Sequence, residues 1–271
     1  MKRMVRFRGM TGIGAGLLAL VALIAVFGPL ISPHSPNAAL GIPATGPASG
    51  LPFGTDVLGR DVLSRTLSGG RVILAIALVA TVVAYSVGGA LGLFAAFRRG
   101  RTDRTVMSVV DLFLAFPSLL LLLLTIAALG AGSVSVLVGA IFAQIPVIAR
   151  YVRTISLEVG TTTYVEAAAL RGERTTAVLR REIIPNISRP LLADIPLRFI
   201  ISMFLVTSAS FLGAGSAPPA ADWGRMILEN QQIFSLNPLA VLLPVIPIAL
   251  ATIGANLLGE GLARGLDRSH V

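Results

Sequence analysis

Few residues in this 271-residue chain can take part in covalent or proton-transfer chemistry. There is no Cys, which excludes thiolate nucleophiles, thiolate metal sites and disulfides. The two His, His34 and His270, cannot build a His-rich metal cluster. The single lysine is Lys2. A P-loop needs Gly-Lys-Ser/Thr, because its lysine and backbone amides hold the phosphates, and this sequence has no such loop. No nucleophile–base or metal constellation is visible. What remains is ion pairing and docking. Asp56, Arg60, Asp61 and Arg65 recur at close spacing. They suit either a solvated, self-paired amphipathic helix or a surface for a partner or gate. Asp194 and Arg198 sit at i, i+4 and can satisfy each other on one helix face. Asp111 stands near the start of an apolar run. Glu166, Ala167, Ala168, Ala169, Leu170, Arg171 and Gly172 form a compact segment of small and charged residues.

The elements that must position these residues are apolar. Hydrophobic residues make up 55% of the chain and charged ones 13%, about half the charge of an ordinary soluble domain. Mean hydropathy is +0.85. Six runs, at about 11–31, 72–97, 106–129, 134–149, 187–212 and 238–258, are long enough to cross a bilayer. They are apolar all round rather than striped. The first is longer than the roughly 7–15 residues of a secretory signal core. No A-x-A site follows it, and it reads as an uncleaved anchor. Gly88 and Gly92 form a small-x-x-x-small pair suited to close helix packing.

The net charge of +9 would on a soluble chain suggest nucleic acid. Here it resolves into topology. With the N-terminus in the cytoplasm, 17 of the 22 basic residues fall inside and four outside, and Arg198 lies within a span. That asymmetry sets orientation and puts both termini inside. The expected organisation is a cytoplasmic tail 1–10, an anchor 11–31, an extracytoplasmic loop 32–71, a core 72–259 with an inner loop 160–186, and a cytoplasmic tail 260–271. The fold class is all-α and polytopic, with six transmembrane helices.

The inner loop is the unusual polar element. Its Glu, Ala, Leu and Arg are good helix formers. Thr161 to Thr163 offer N-cap oxygens, and Gly172 can take the left-handed conformation that ends a helix. A second helical piece over 173–182 is expected to end before Pro185. The result is a helix, a glycine turn and a second short helix projecting into the cytoplasm.

The pattern Glu166-Ala167-Ala168…Gly172…Ile184-Pro185 resembles the EAA motif of importer-type ABC transporter permeases. Phe53-Gly54-Thr55-Asp56-Val57-Leu58-Gly59-Arg60-Asp61 through Ser64-Arg65 resembles a signature of the dipeptide/oligopeptide/nickel permease family. So do Asp111 with Ala115-Phe116-Pro117-Ser118, Ser210-Phe211-Leu212-Gly213 with Pro218-Pro219 and Asp222-Trp223-Gly224, and Asn256-Leu257-Leu258-Gly259-Glu260 with Leu266-Asp267. The matches run in order over about 53–268. Departures are Arg98-Arg99-Gly100-Arg101, Leu236-Asn237-Pro238-Leu239, Glu260 and Ala263. They bear on which solute is carried and leave the EAA segment intact.

The resemblance implies a type I importer-like permease in a bacterial inner membrane, with a second permease subunit, usually as a heterodimer. It implies two ABC ATPase subunits that carry ATP and Mg, with no cofactor in this chain, and an extracytoplasmic binding protein. Tyr164, Glu166, Ala167, Ala168, Leu170, Gly172, Ile184 and Pro185 are then the ATPase-docking candidates. Asp56, Arg60, Asp61, Arg65, Asp222 and Trp223 are the outer-face candidates. Trp223 is also suited to anchoring at a membrane interface. The implied cargo is a peptide or a related small solute such as a nickel chelate. The competing class is a secondary carrier or channel acting without an ATPase.

Overall fold

The computed structural model describes residues 2–98 and 100–266. Arg99, Asp267, Arg268 and His270, and the side chains of Lys2, Arg3, Arg6 and Arg8, lie outside the described residues. The fold is helical: α1 (Lys2–Ile31), α2 (Val62–Ser68), α3 (Gly70–Arg98), α4 (Gly100–Leu114), α5 (Ser118–Leu129), α6 (Ser133–Gly160), α7 (Thr163–Leu170), α8 (Thr175–Val178), α9 (Ile184–Phe211), α10 (Trp223–Asn230) and α11 (Leu239–Leu266). Five helical stretches are long and apolar enough to cross a membrane, or six if the bent pair α4–α5 counts as one span.

The bend corrects the expectation of a straight span over 106–129. The two helices meet at 87°. Pro117 sits at the N-cap of α5; it has no N–H and pushes Phe116 out of the helical region. The twelve residues of α5 rise about 18 Å, well short of the roughly 30 Å hydrocarbon core.

Lipid offers no hydrophobic drive for helix association, so spans pack where small residues let backbones approach. On α3, Ala77, Ala80, Ala84, Gly88 and Gly92 recur at intervals of three or four and are buried. A Cβ at Gly88 would lie 2.8 Å from the Ile145 carbonyl oxygen of α6, and one at Gly92 would strike the Ala149 carbonyl. The same device joins α1 to α11, where a Cβ at Gly14 would lie 2.6 Å from the Gly254 oxygen. Large apolar side chains on the other faces, such as Leu78, Val82, Leu124 and Phe204, are exposed, as surfaces meant for lipid or another subunit must be.

Several polar groups within the spans pair across helices. Thr81 of α3 and Ser202 of α9 share a hydrogen bond of 2.9 Å, and Gln144 of α6 donates to Ser202. Arg198 binds Asp194 at 2.9 Å, and Tyr85 of α3 donates to the same carboxylate. Asp111 of α4 pairs with Arg150 of α6.

Candidate coupling segment and outer-face network

The inner segment forms the expected helix and glycine turn, with two corrections. The hydroxyls of Thr161 and Thr162 turn back to the Glu158 and Val159 carbonyls at 2.8 and 2.6 Å, so they close α6 rather than cap α7. The second helical piece also does not end before Pro185. It passes through a π turn, Leu179–Ile183, straight into α9. In a regular helix the Pro185 ring would clash with the carbonyl four residues back. Here a wider turn precedes the proline, in which the Ile184 amide reaches the Leu179 carbonyl.

Gly172 has φ +74°, a left-handed conformation costly for residues bearing a Cβ. Around it the Glu173 amide donates to the Ala168 carbonyl at 3.3 Å, the six-to-one bond that ends helices at such a glycine. The turn reverses the chain and leaves α7 lying against the ends of the spans.

Two faces of α7 then differ. Val165 and Ala168 are buried in one cluster with Ala84 of α3, Ile148 and Val152 of α6, Val178 of α8 and Ile187 of α9. Tyr164, Glu166 and Leu170 are exposed, Leu170 to 89%. Of the docking candidates, Ala168 therefore packs inward, Gly172 supplies the turn, and Tyr164, Glu166 and Leu170 form the open face. Ile184 and Pro185 are exposed on the first turn of α9. An open pocket of about 390 Å³ is lined by residues of α3, α6, α7 and α8, Phe97 and Glu166 among them.

The outer candidates are corrected more sharply. Asp56, Arg60, Asp61 and Arg65 are buried rather than solvated, and only Arg65 lies within α2. Asp61 caps α2, accepting from the Leu63 and Ser64 amides at 3.1 and 3.3 Å, and it binds His34 at 3.1 Å. Asp56 takes the Leu58 and Arg60 amides and pairs with Arg60 at 2.6 Å and Arg65 at 3.3 Å. Glu229 of α10 closes the set, meeting Arg60 at 2.6 Å, Arg65 at 3.3 Å and Arg225 at 2.8 Å. Burial would raise Glu229, but hydrogen bonds from Arg225 and Arg60 and the nearby arginine charges outweigh it and hold the carboxyl below its ordinary value.

Trp223 is fully buried, so it is no interfacial anchor. Its indole N–H donates to the Thr66 carbonyl at 2.7 Å. Its ring fills the space a Cβ at Gly69 or Gly70 would need, which explains the paired glycines between α2 and α3. Asp222 caps α10 and accepts from Ser210 at 3.0 Å and Ser216 at 3.3 Å. Burial pushes its carboxyl up, against hydrogen bonds from Arg225, Ser210 and Ser216. Asn237 donates to the Thr45, Phe53 and Thr55 carbonyls at 3.0–3.2 Å, and Asn230 accepts from the Val57 amide at 3.0 Å. Glu229 and Asn230 were not singled out in the sequence, and Asn237 was noted only as a departure from the family pattern. The one available signal was Arg225 and Glu229 at i, i+4 beside the only Trp.

A helical, multi-pass chain with a docked inner hairpin and a closed outer lid has the build of a membrane transport subunit. The chain belongs to the family described as "Binding-protein-dependent transport system inner membrane component", which matches residues 88–270. It is a multi-pass inner-membrane permease component, and this decides against a carrier or channel acting alone. A glutathione transport system permease protein of Pectobacterium atrosepticum is 36% identical over 222 residues, covering 82% of this chain and 74% of the relative. A peptide transport system permease protein of Brucella abortus is 37% identical over 268 residues, covering 98% and 90%. The fold is similar to two inward-facing forms of the MetNI methionine ABC transporter, with TM-scores of 0.54 and 0.58 at 22% and 20% identity. Those matches cover 70% and 74% of this chain and 93% and 96% of the solved chains.

Proposed function

We propose that this chain forms half of the pathway of an ATP-driven importer for peptides or closely related small solutes. Its two relatives named for peptide and glutathione transport favour that cargo over a nickel chelate. The chain itself performs no catalysis. ATP and Mg belong to two ATPase subunits beneath it, a second permease subunit stands beside it, and an extracytoplasmic binding protein delivers the solute. Both termini face the cytoplasm, with 32–71 outside, 72–259 as the core and 160–186 as the inner loop.

The observation that carries this reading is the two-faced α7. Its buried residues Val165 and Ala168 sit in one cluster with α3, α6 and α9, while its other face is open. A partner that moves the open face therefore moves three spans, and a packed bundle responds by switching between discrete arrangements. Outside, the buried charges act by holding loop 32–61 to α10, and the lid they form presents exposed Leu58, Phe234 and Leu236. Gly172→Val and Glu166→Lys each abolish uptake in reconstituted vesicles while membrane insertion stays normal. Normal uptake and ATPase co-purification in both variants would sink the assignment.

A further inference from the structure

We propose that the groove formed by Arg174, Thr176, Ala177, Arg180 and Arg181 holds the phosphate headgroup of an anionic phospholipid of the cytoplasmic leaflet. All three arginines are exposed, and none has an acidic partner among the described residues. Two acids adjoin them in sequence: Glu173 is held by Arg171 at 2.8 Å, and Glu182 follows Arg181 without pairing with any of the three. The same segment turns Val178 and Ile183 into the bundle, so the arginines stand on its outward side. Depth supports a lipid. The apolar part of α9 begins at Ile187, six residues past Arg181. That is about 9 Å along a helix, and a headgroup layer is roughly 5–8 Å thick. Long arginine side chains can bridge the remainder by reaching toward the interface. This segment runs through the π turn directly into a span. Basic pockets at the cytoplasmic ends of spans are the sites that take such headgroups.

Each arginine near an anionic surface is worth about fivefold in affinity, so three together favour an anionic over a zwitterionic headgroup by about a hundredfold. The test is native mass spectrometry of the purified full chain, titrated with phosphatidylglycerol or phosphatidylcholine. The wild type retains phosphatidylglycerol selectively. R174Q/R180Q/R181Q loses that selectivity, R174K/R180K/R181K keeps most of it, and R101Q/R104Q, altered at another inner arginine pair, behaves as wild type. Equal retention of the two lipids by the wild type overturns the proposal without any variant. So does a glutamine variant that keeps its lipid but no longer co-purifies with ATPase subunits, because the groove would then be a protein dock.

Discussion

Glu229→Ala is the sharpest test of the outer network. The glutamate faces Arg60, Arg65 and Arg225 at 2.6, 3.3 and 2.8 Å. Its removal leaves Arg60 and Arg65 sharing Asp56 and takes away the carboxylate that Arg225 pairs with. Arg60 and Arg65 are 5% and 0% exposed, so water cannot easily replace the lost partner. Breaking a buried pair on one side costs about 3–5 kcal/mol. The 18% exposure of Glu229 itself places the loss near the lower end, about 3 kcal/mol. Thermal and denaturant unfolding in detergent, followed by tryptophan fluorescence, measures it directly, because Trp223 is the sole Trp and lies beside the network. Glu229→Gln, which keeps hydrogen-bond acceptance, loses less. The pH dependence has a fixed sign. The carboxyl is held below its ordinary value of 4.5, so its contribution is present above that value and lost as pH falls through the lower folded one. Wild type therefore loses this stability in acid, and Glu229→Ala does not. A loss under about 1 kcal/mol, the size expected of a solvated surface pair, would refute the claim that these charges are a buried clamp.

Three other outcomes follow from the packing. Gly92→Leu forces a side chain into the Ala149 carbonyl and lowers the melting temperature, at a cost of about 1–3 kcal/mol or more, whereas Gly89→Leu, where a Cβ meets nothing within 4 Å, is tolerated. Trp223→Phe removes the indole bond to the Thr66 carbonyl, leaving it only the 3.4 Å bond from the Gly69 amide, and costs about 0.5–1.5 kcal/mol, read by chemical denaturation with circular dichroism. Gly172→Ala strains the turn after α7 by about 1–2 kcal/mol; limited proteolysis cuts the 163–183 segment faster in this variant than in wild type.

The spans were legible because a bilayer imposes one condition, a long apolar run, and composition alone reports it. Gly88 and Gly92 were legible too, since their spacing specifies a shared helix face. The break at Pro117 was not, because a run that is apolar on both sides of a proline looks continuous to a hydropathy count. The passage through Pro185 was missed for the opposite reason: proline normally stops a helix, and a π turn is a local exception with no signal of its own. The outer charges were misjudged because burial of Asp56 and Arg65 depends on Glu229, some 164 residues from Arg65. Local spacing shows that acids and arginines can pair. It does not show that a distant helix covers them.

These elements meet on α9, which ties the two ends of the molecule together. Its inner end carries Ile187 in the α7 cluster, and its outer end carries Ser210, bound to the cap of α10. Between them Ser202 joins Thr81 and Gln144, pinning α3, α6 and α9 at one level. Ser202→Ala leaves two buried polar groups without that partner in an apolar interior, and interhelical hydrogen bonds in membranes are worth about 0.6–1.7 kcal/mol each. The structural loss is thus modest, and stability alone cannot distinguish a pivot from ordinary packing. Coupling can. If motion at α7 reaches the lid through a pinned α9, Ser202→Ala lowers uptake per ATP hydrolysed while ATPase co-purification stays at the wild-type level. Ser202→Thr, which keeps the hydroxyl, restores most of it. An unchanged uptake-to-hydrolysis ratio in Ser202→Ala would show that the inner and outer ends communicate by another route, such as the long α3–α6 contact through Gly88 and Gly92.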